Sequence, residues 1–114
     1  MATIEMLKEH DFEPGRGFIE YWSPRGVLLQ DTEFEAKIPV FFHSCVIYID
    51  NSQVNQQVSV DVYDNIPANW VTSITIGANS KGKIVINHPI WRLIVKLTYS
   101  SNSFPASVRV VGIR

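Results

Sequence analysis

From Trp91 to Tyr99 large apolar residues recur at every second position. Trp91, Leu93, Val95, Leu97 and Tyr99 fall on one parity, and Arg92, Lys96 and Thr98 fall on the other. A period of two is the signature of a strand packed on one face and wet on the other. The closing segment repeats it, with Val108 and Val110 on one face and Arg109 and Val111 on the opposite one. The linker Ser100-Ser101-Asn102-Ser103-Phe104-Pro105-Ala106 carries turn residues. Ile90 to Arg114 therefore predicts a hairpin, with Arg92, Lys96 and Arg109 sharing its polar face.

Upstream the same logic marks Phe18–Trp22 as a short strand, closed by the turn Ser23-Pro24-Arg25-Gly26, and Val27–Gln30 as its answer. Asp31 to Lys37 is polar and poorly patterned. Ile38 to Phe42 resumes extended structure around Pro39, which lacks an N–H and belongs at an edge or a strand start. Cys45–Asp50, Val58–Tyr63, Val71–Ile76 and Ile84–Ile86 complete the set, separated by Gly, Pro, Asn and Ser. No segment holds a helical period. Seven or eight short strands at this spacing predict an all-β fold, an antiparallel β-sandwich of Greek-key or jelly-roll type, over residues 18–114. Residues 1–17 precede it as an N-terminal arm whose Ile4, Met6, Leu7 and Phe12 need a surface to cover them.

The 114 residues suit one domain. Hydrophobic residues at 46% and charged residues at 18% exclude general disorder. The longest apolar runs are too short for a membrane-spanning helix, and the first ten residues lack the basic and apolar regions of a secretory signal. Synthesis and folding in a cytoplasm are the expectation. Charge is segregated along the chain: residues 1–57 hold nine acids and four bases, and residues 58–114 hold two acids and six bases. Such a division suggests a polar molecule that docks head-to-tail or rests its basic face on an acidic partner.

Catalytic signals are missing. Cys45 stands alone, so it forms no intrachain disulfide, and its neighbours Val46 and Ile47 predict a buried, inert thiol. His10, His43 and His88 have no ligand spacing, no serine lies in a nucleophile elbow, and Gly15-Arg16-Gly17 is a turn rather than a phosphate loop. Asp61 and Asp64 are read as solvated surface acids, two carboxylates being few for calcium. Trp91 is expected on the packed face of its strand. Trp70, at a loop-to-strand junction, is the ring expected to be exposed and able to stack on a ligand. Six bases across half a chain are thin for nucleic-acid binding. No enzyme activity and no cofactor or metal follow from these residues.

Val58-Ser59-Val60-Asp61-Val62-Tyr63, Asn69-Trp70-Val71 with Ile74-Thr75-Ile76, Gly77, Gly82, Trp91-Arg92-Leu93-Ile94-Val95 and Val108-Arg109-Val110-Val111-Gly112 resemble a β-sandwich of structural and adhesion proteins of tailed-bacteriophage virions. The resemblance spans residues 46–114. It implies a capsid decoration or cement protein, located on the virion, oligomeric, and bound to the major capsid protein or other virion subunits. Ile4, Met6, Leu7, Phe12, Arg92, Lys96 and Arg109 would then form the assembly interface. The alternative it implies is a receptor- or glycan-binding module of a tail or head fibre, with Trp70 on the glycan.

Overall fold

The period-two segments form strands throughout. The structure is a computed structural model and describes residues 1–11, 17–24, 26–65 and 69–114. Ten strands are present among them: β1 Ala2–Ile4, β2 Leu7–Asp11, β3 Phe18–Trp22, β4 Asp31–Ile38, β5 Ser44–Asp50, β6 Val58–Asp64, β7 Trp70–Ile76, β8 Lys81–Ile86, β9 Leu93–Ser103 and β10 Ser107–Ile113. They make two five-stranded sheets. The front sheet runs β1-β4-β9-β6-β7 and the back sheet β2-β3-β10-β5-β8. Every pairing is antiparallel except β1 with β4. The fold is thus all-β and sandwich-like, with ten strands rather than seven or eight.

The expected terminal hairpin does not form. β9 pairs with β4 and β6, and β10 pairs with β3 and β5, so each is the middle strand of a different sheet. A hairpin would have placed β9 and β10 side by side in one sheet. Crossing between sheets pairs both edges of both strands and turns Leu93, Val95 and Leu97 toward the same core as Val108 and Val110, all of them buried. The linker is that crossover, not a hairpin turn.

Three further expectations change. Asp31–Ile38 is a full strand, because Phe34, Ala36 and Ile38 are buried at period two beneath Glu33, Glu35 and Lys37. Val27–Gln30 is not a strand, and beyond Ile38 only an isolated bridge, Phe42 to Ile90, continues the extended structure. Residues 1–11, expected as an arm in need of a covering surface, join their own domain: β1 adds an edge to the front sheet and β2 an edge to the back sheet. Ile4 is 2% exposed within its own domain, Met6 packs against the core, and Leu7 is exposed. Phe12 lies outside the described residues.

The core is built from one parity of these strands. Val58, Val60, Val62, Ile76, Ile84, Ile86, Leu93, Val95, Leu97, Val108 and Val110 are buried, and Ile74 packs against them. Gly112 is required where it stands, since a Cβ there would overlap the buried ring of Phe42. Gly26 has φ of 73°, the positive φ expected in the turn after Pro24.

A buried polar pair, the Tyr99 hydroxyl and the Asn51 side chain, lies against this core. The Tyr99 hydroxyl donates to Asn51 Oδ1 at 3.0 Å and accepts from the Ala106 N–H at 2.9 Å. Burial pushes the Tyr99 phenol up to about 12 from the ordinary 10, opposed in part by the Ala106 N–H. The folded state therefore holds this proton after the unfolded chain has released it. Stability from this group is fully present below pH 10 and declines as pH rises toward 12. Tyr99→Phe should cost about 1–3 kcal/mol at neutral pH, because Asn51 Oδ1 and the Ala106 N–H lose their buried partner. Urea unfolding at neutral and alkaline pH tests both points: the variant should start less stable and lose less between pH 10 and 12.

Candidate functional site

The outer faces of the two sheets differ in chemistry. On the front sheet, cross-strand registers place Glu35, Lys96, Asp61 and Ser73 in one row and Lys37, Ile94, Tyr63 and Trp70 in another. Lys96 Nζ is 3.7 Å from Glu33 and Lys37 Nζ 3.6 Å from Glu35. Opposite charges set across neighbouring strands stabilise one another modestly and keep such a face in water.

The back sheet is apolar on its outer face. Here the registers align Phe18, Ile113 and Ser44 in one row, and Glu20, Val111, Val46 and Val85 in the next. A third row holds Trp22, Arg109, Tyr48 and Lys83. Phe18 is 50% exposed and Val85 52%, with Tyr48 and Ile113 also exposed and Val46 and Val111 half-buried. A shallow groove of about 240 Å³ runs between Phe18, Val46, Val85, Val111 and Ile113. The only carboxylate in these rows, Glu20, is buried and accepts a hydrogen bond from Arg109 Nε. Its charge is thereby matched within the face.

At one end of this face a wider cleft of about 1080 Å³ opens beside the segment that follows β3. Trp22, Tyr48, Leu28, Phe104 and Pro105 line it, with Arg109 on the sheet itself. The segment is fixed to β10, because the Ser23 N–H donates to Val108 O and the Val108 N–H donates to Ser23 Oγ, both at 2.9 Å.

The residues singled out from sequence do not converge. Arg109 is on the back sheet and Lys96 on the front, while Arg92 precedes β9, so the three share no face. Their expected common face depended on the hairpin that does not form. Trp70 is 59% exposed as expected, but its indole N–H donates to Ser73 Oγ at 2.8 Å, and Ser73 in turn donates to Asp61. Trp91 is 66% exposed, contrary to expectation, because β9 starts only at Leu93. Its ring meets Phe41 at 4.7 Å, and its N–H and that of Arg92 donate to Asp64 Oδ1 at 2.9 and 3.1 Å. Asp61 and Asp64 thus serve local hydrogen bonds.

His43 is exposed, with its ring against Phe41 at 4.8 Å. Among the described residues no three His, Cys, Asp or Glu side chains gather to hold a metal ion. The apolar outer face itself went unread. Its signal was present in Cys45-Val46-Ile47-Tyr48-Ile49 and in Val110-Val111, which are apolar on both parities and so predict apolar residues on both faces of a sheet.

The chain matches no family model and no curated protein. Among solved structures it is similar to the crystal structure of Aeromonas hydrophila PliG, a periplasmic inhibitor of g-type lysozyme, at 7% identity and a TM-score of 0.44, covering 99% of this chain and 96% of that one. The matched structure is not a virion protein. The resemblance to phage virion sandwiches is corrected accordingly, and with it the decoration or fibre role, the capsid and oligomer partners, the glycan and the virion location. The pattern that carried it, alternating valines with Asn-Trp and aromatic-Arg strand starts, is met by small β-sandwiches in general.

Cys45 is buried, and desolvation pushes its thiol up to about 12 from 9.0. A thiol held neutral cannot act as a nucleophile at neutral pH. A maleimide or disulfide reagent should therefore leave the native protein unmodified and label it only as urea unfolds it. Rapid labelling without denaturant would show that Cys45 is accessible and reactive.

Proposed function

We propose that this chain is a non-catalytic binding module, a jelly roll whose back sheet docks a partner protein. The jelly-roll reading is supported by strands β3 to β10, ordered β4-β9-β6-β7 in one sheet and β3-β10-β5-β8 in the other. The chain changes sheet at every connection among these eight strands except β6 to β7.

The observation that carries the functional reading is the contrast between the two outer faces. Phe18, Val46, Tyr48, Val85, Val111 and Ile113 stand in adjacent rows, outside the core. The front sheet sets charges at the corresponding positions. A contiguous apolar patch rimmed by polar residues marks a site of association, and its burial contributes about 25 cal/mol per Å² of apolar surface. The rim is supplied by Lys83, Ser44 and Arg109, whose partner Glu20 is buried.

Glutamate placed in this patch should destroy docking without unfolding the protein. Phe18→Glu and Val85→Glu alter side chains at least half exposed, so each should shift stability by no more than about 0.5 kcal/mol. Quantitative affinity capture from a cell extract, comparing the unaltered protein with each variant, should show specific partners retained by the former and reduced about tenfold with the variants. Identical capture by all three, with unfolding midpoints unchanged, would refute the proposal.

A further inference from the structure

The cleft beside the apolar face differs from the face in one respect: its rings carry unused hydrogen-bond donors. Among the described residues the Trp22 indole N–H, the Tyr48 hydroxyl and the Gln53 side-chain amide have no hydrogen-bond partner, and all three residues line the cleft. Its charged groups are already matched, Lys81 with Asp50 at 3.9 Å and Arg109 with Glu20. A ligand that fits must bring acceptors and apolar bulk, and it need bring no net charge.

Spacing narrows the ligand further. Trp22 and Tyr48 are both in register with Arg109, one on each neighbouring strand. At about 4.8 Å between strands the two aromatic residues stand about 9.6 Å apart, across the aliphatic stem of Arg109. A polyproline II helix rises about 3.1 Å per residue with three residues per turn, so equivalent residues repeat every about 9.3 Å. A ligand of this kind laid across the strands would place one proline ring against Trp22 and another against Tyr48.

Its backbone suits the donors as well. A polyproline II segment leaves its carbonyls without internal partners, and prolines present no N–H to be satisfied. Aromatic-lined grooves accept such segments at low entropic cost because the ligand is already extended. The exposed Leu28 and Phe104, which also line the cleft, add apolar surface. We infer that the cleft formed by Trp22, Arg109 and Tyr48 with Leu28, Phe104 and Gln53 binds an extended proline-rich segment of a partner protein. This rests on the reading of the back sheet as a docking face, and it names the chemistry of the docked segment.

The test titrates the full chain with a polyproline decapeptide and with a library of Pro-x-x-Pro decapeptides, by calorimetry and by tryptophan fluorescence. Decapeptides with glycine and serine in place of proline serve as controls. Saturable binding of proline-containing peptides is expected, with no binding of the controls. Tyr48→Ala and Trp22→Phe should weaken it about tenfold or more, while Trp70→Phe, on the other sheet, should leave it unchanged. Circular dichroism and unfolding midpoints establish that each variant is folded, and Tyr48→Ala, at an exposed site, keeps the test open if Trp22→Phe unfolds. If no proline peptide binds while Phe18→Glu and Val85→Glu still abolish partner capture, the cleft inference is overturned and the docking face stands. Binding unchanged by Tyr48→Ala and Trp22→Phe, or saturable binding of an oligosaccharide panel in place of the peptides, would also overturn it.

Discussion

The Tyr99 hydroxyl and the Asn51 side chain hold one end of the sandwich together. Asn51 is fully buried, and each of its groups is satisfied. Its Nδ2 donates to Gln56 O and Gly77 O at 2.9 and 3.1 Å, its Oδ1 accepts from Tyr99, and its backbone N–H and carbonyl bond Ser80 and Val54. Through Tyr99 the network reaches Ala106 on the crossover between β9 and β10. Four segments distant in sequence are thereby fixed by one amide and one phenol. A buried polar network in which every member is paired stabilises one arrangement, while a half-satisfied alternative is penalised at each orphaned group. The crossover it anchors contains Phe104 and Pro105, so the geometry of the cleft depends on a bond made beneath it.

The alternation of the chain between sheets also decides what becomes of its segregated charge. Strands from the acidic half lie beside strands from the basic half: β4 against β9, β3 against β10, β5 against β8. Glu33 meets Lys96, Glu20 meets Arg109 and Asp50 meets Lys81 as a direct result. The charge division expected to face a partner is largely consumed inside the molecule. The exposed pairs, Glu33–Lys96 and Asp50–Lys81, contribute at most about 1 kcal/mol each. Together they leave the front face charged and balanced and concentrate unmatched apolar surface on the back.

Much of the fold was legible because a period of two depends only on side chains that are buried or not. β3 was read with its observed bounds, β5, β6 and β7 were read to within one residue, and β8 was read without its first three residues. β4 was missed because its buried face includes Ala36, whose small side chain weakens the alternation of Phe34 and Ile38 against the adjacent acids. Pairing was less legible than strand position. A turn-rich linker between two strands looks the same whether it closes a hairpin or crosses between sheets, so the pattern of the two strands does not separate the cases. The error propagated to function, because grouping Arg92, Lys96 and Arg109 depended on the hairpin. Trp22 on β3 and Tyr48 on β5 share a row only because β10, from the far end of the chain, lies between their strands, so no spacing in the sequence could bring them together.

An exposed apolar sheet face raises the question of why such a chain would not simply pair with itself. β8 is an edge of the back sheet and presents Lys81, Lys83 and Val85 outward. Two copies joined edge to edge through β8 would bring these lysines together, and like charges on adjoining strands oppose that pairing. Within the face, Glu20 and Arg109 form a matched pair that a second apolar sheet would cover without providing further polar partners. Covering a charged group without satisfying it is costly, so the face favours a partner with polar groups of its own over a copy of itself. The donors on Trp22, Tyr48 and Gln53 act in the same direction, since an apolar surface laid over them would bury each one unpaired. The back sheet is therefore selective as well as apolar, and the selection falls on acceptors set about two strand spacings apart.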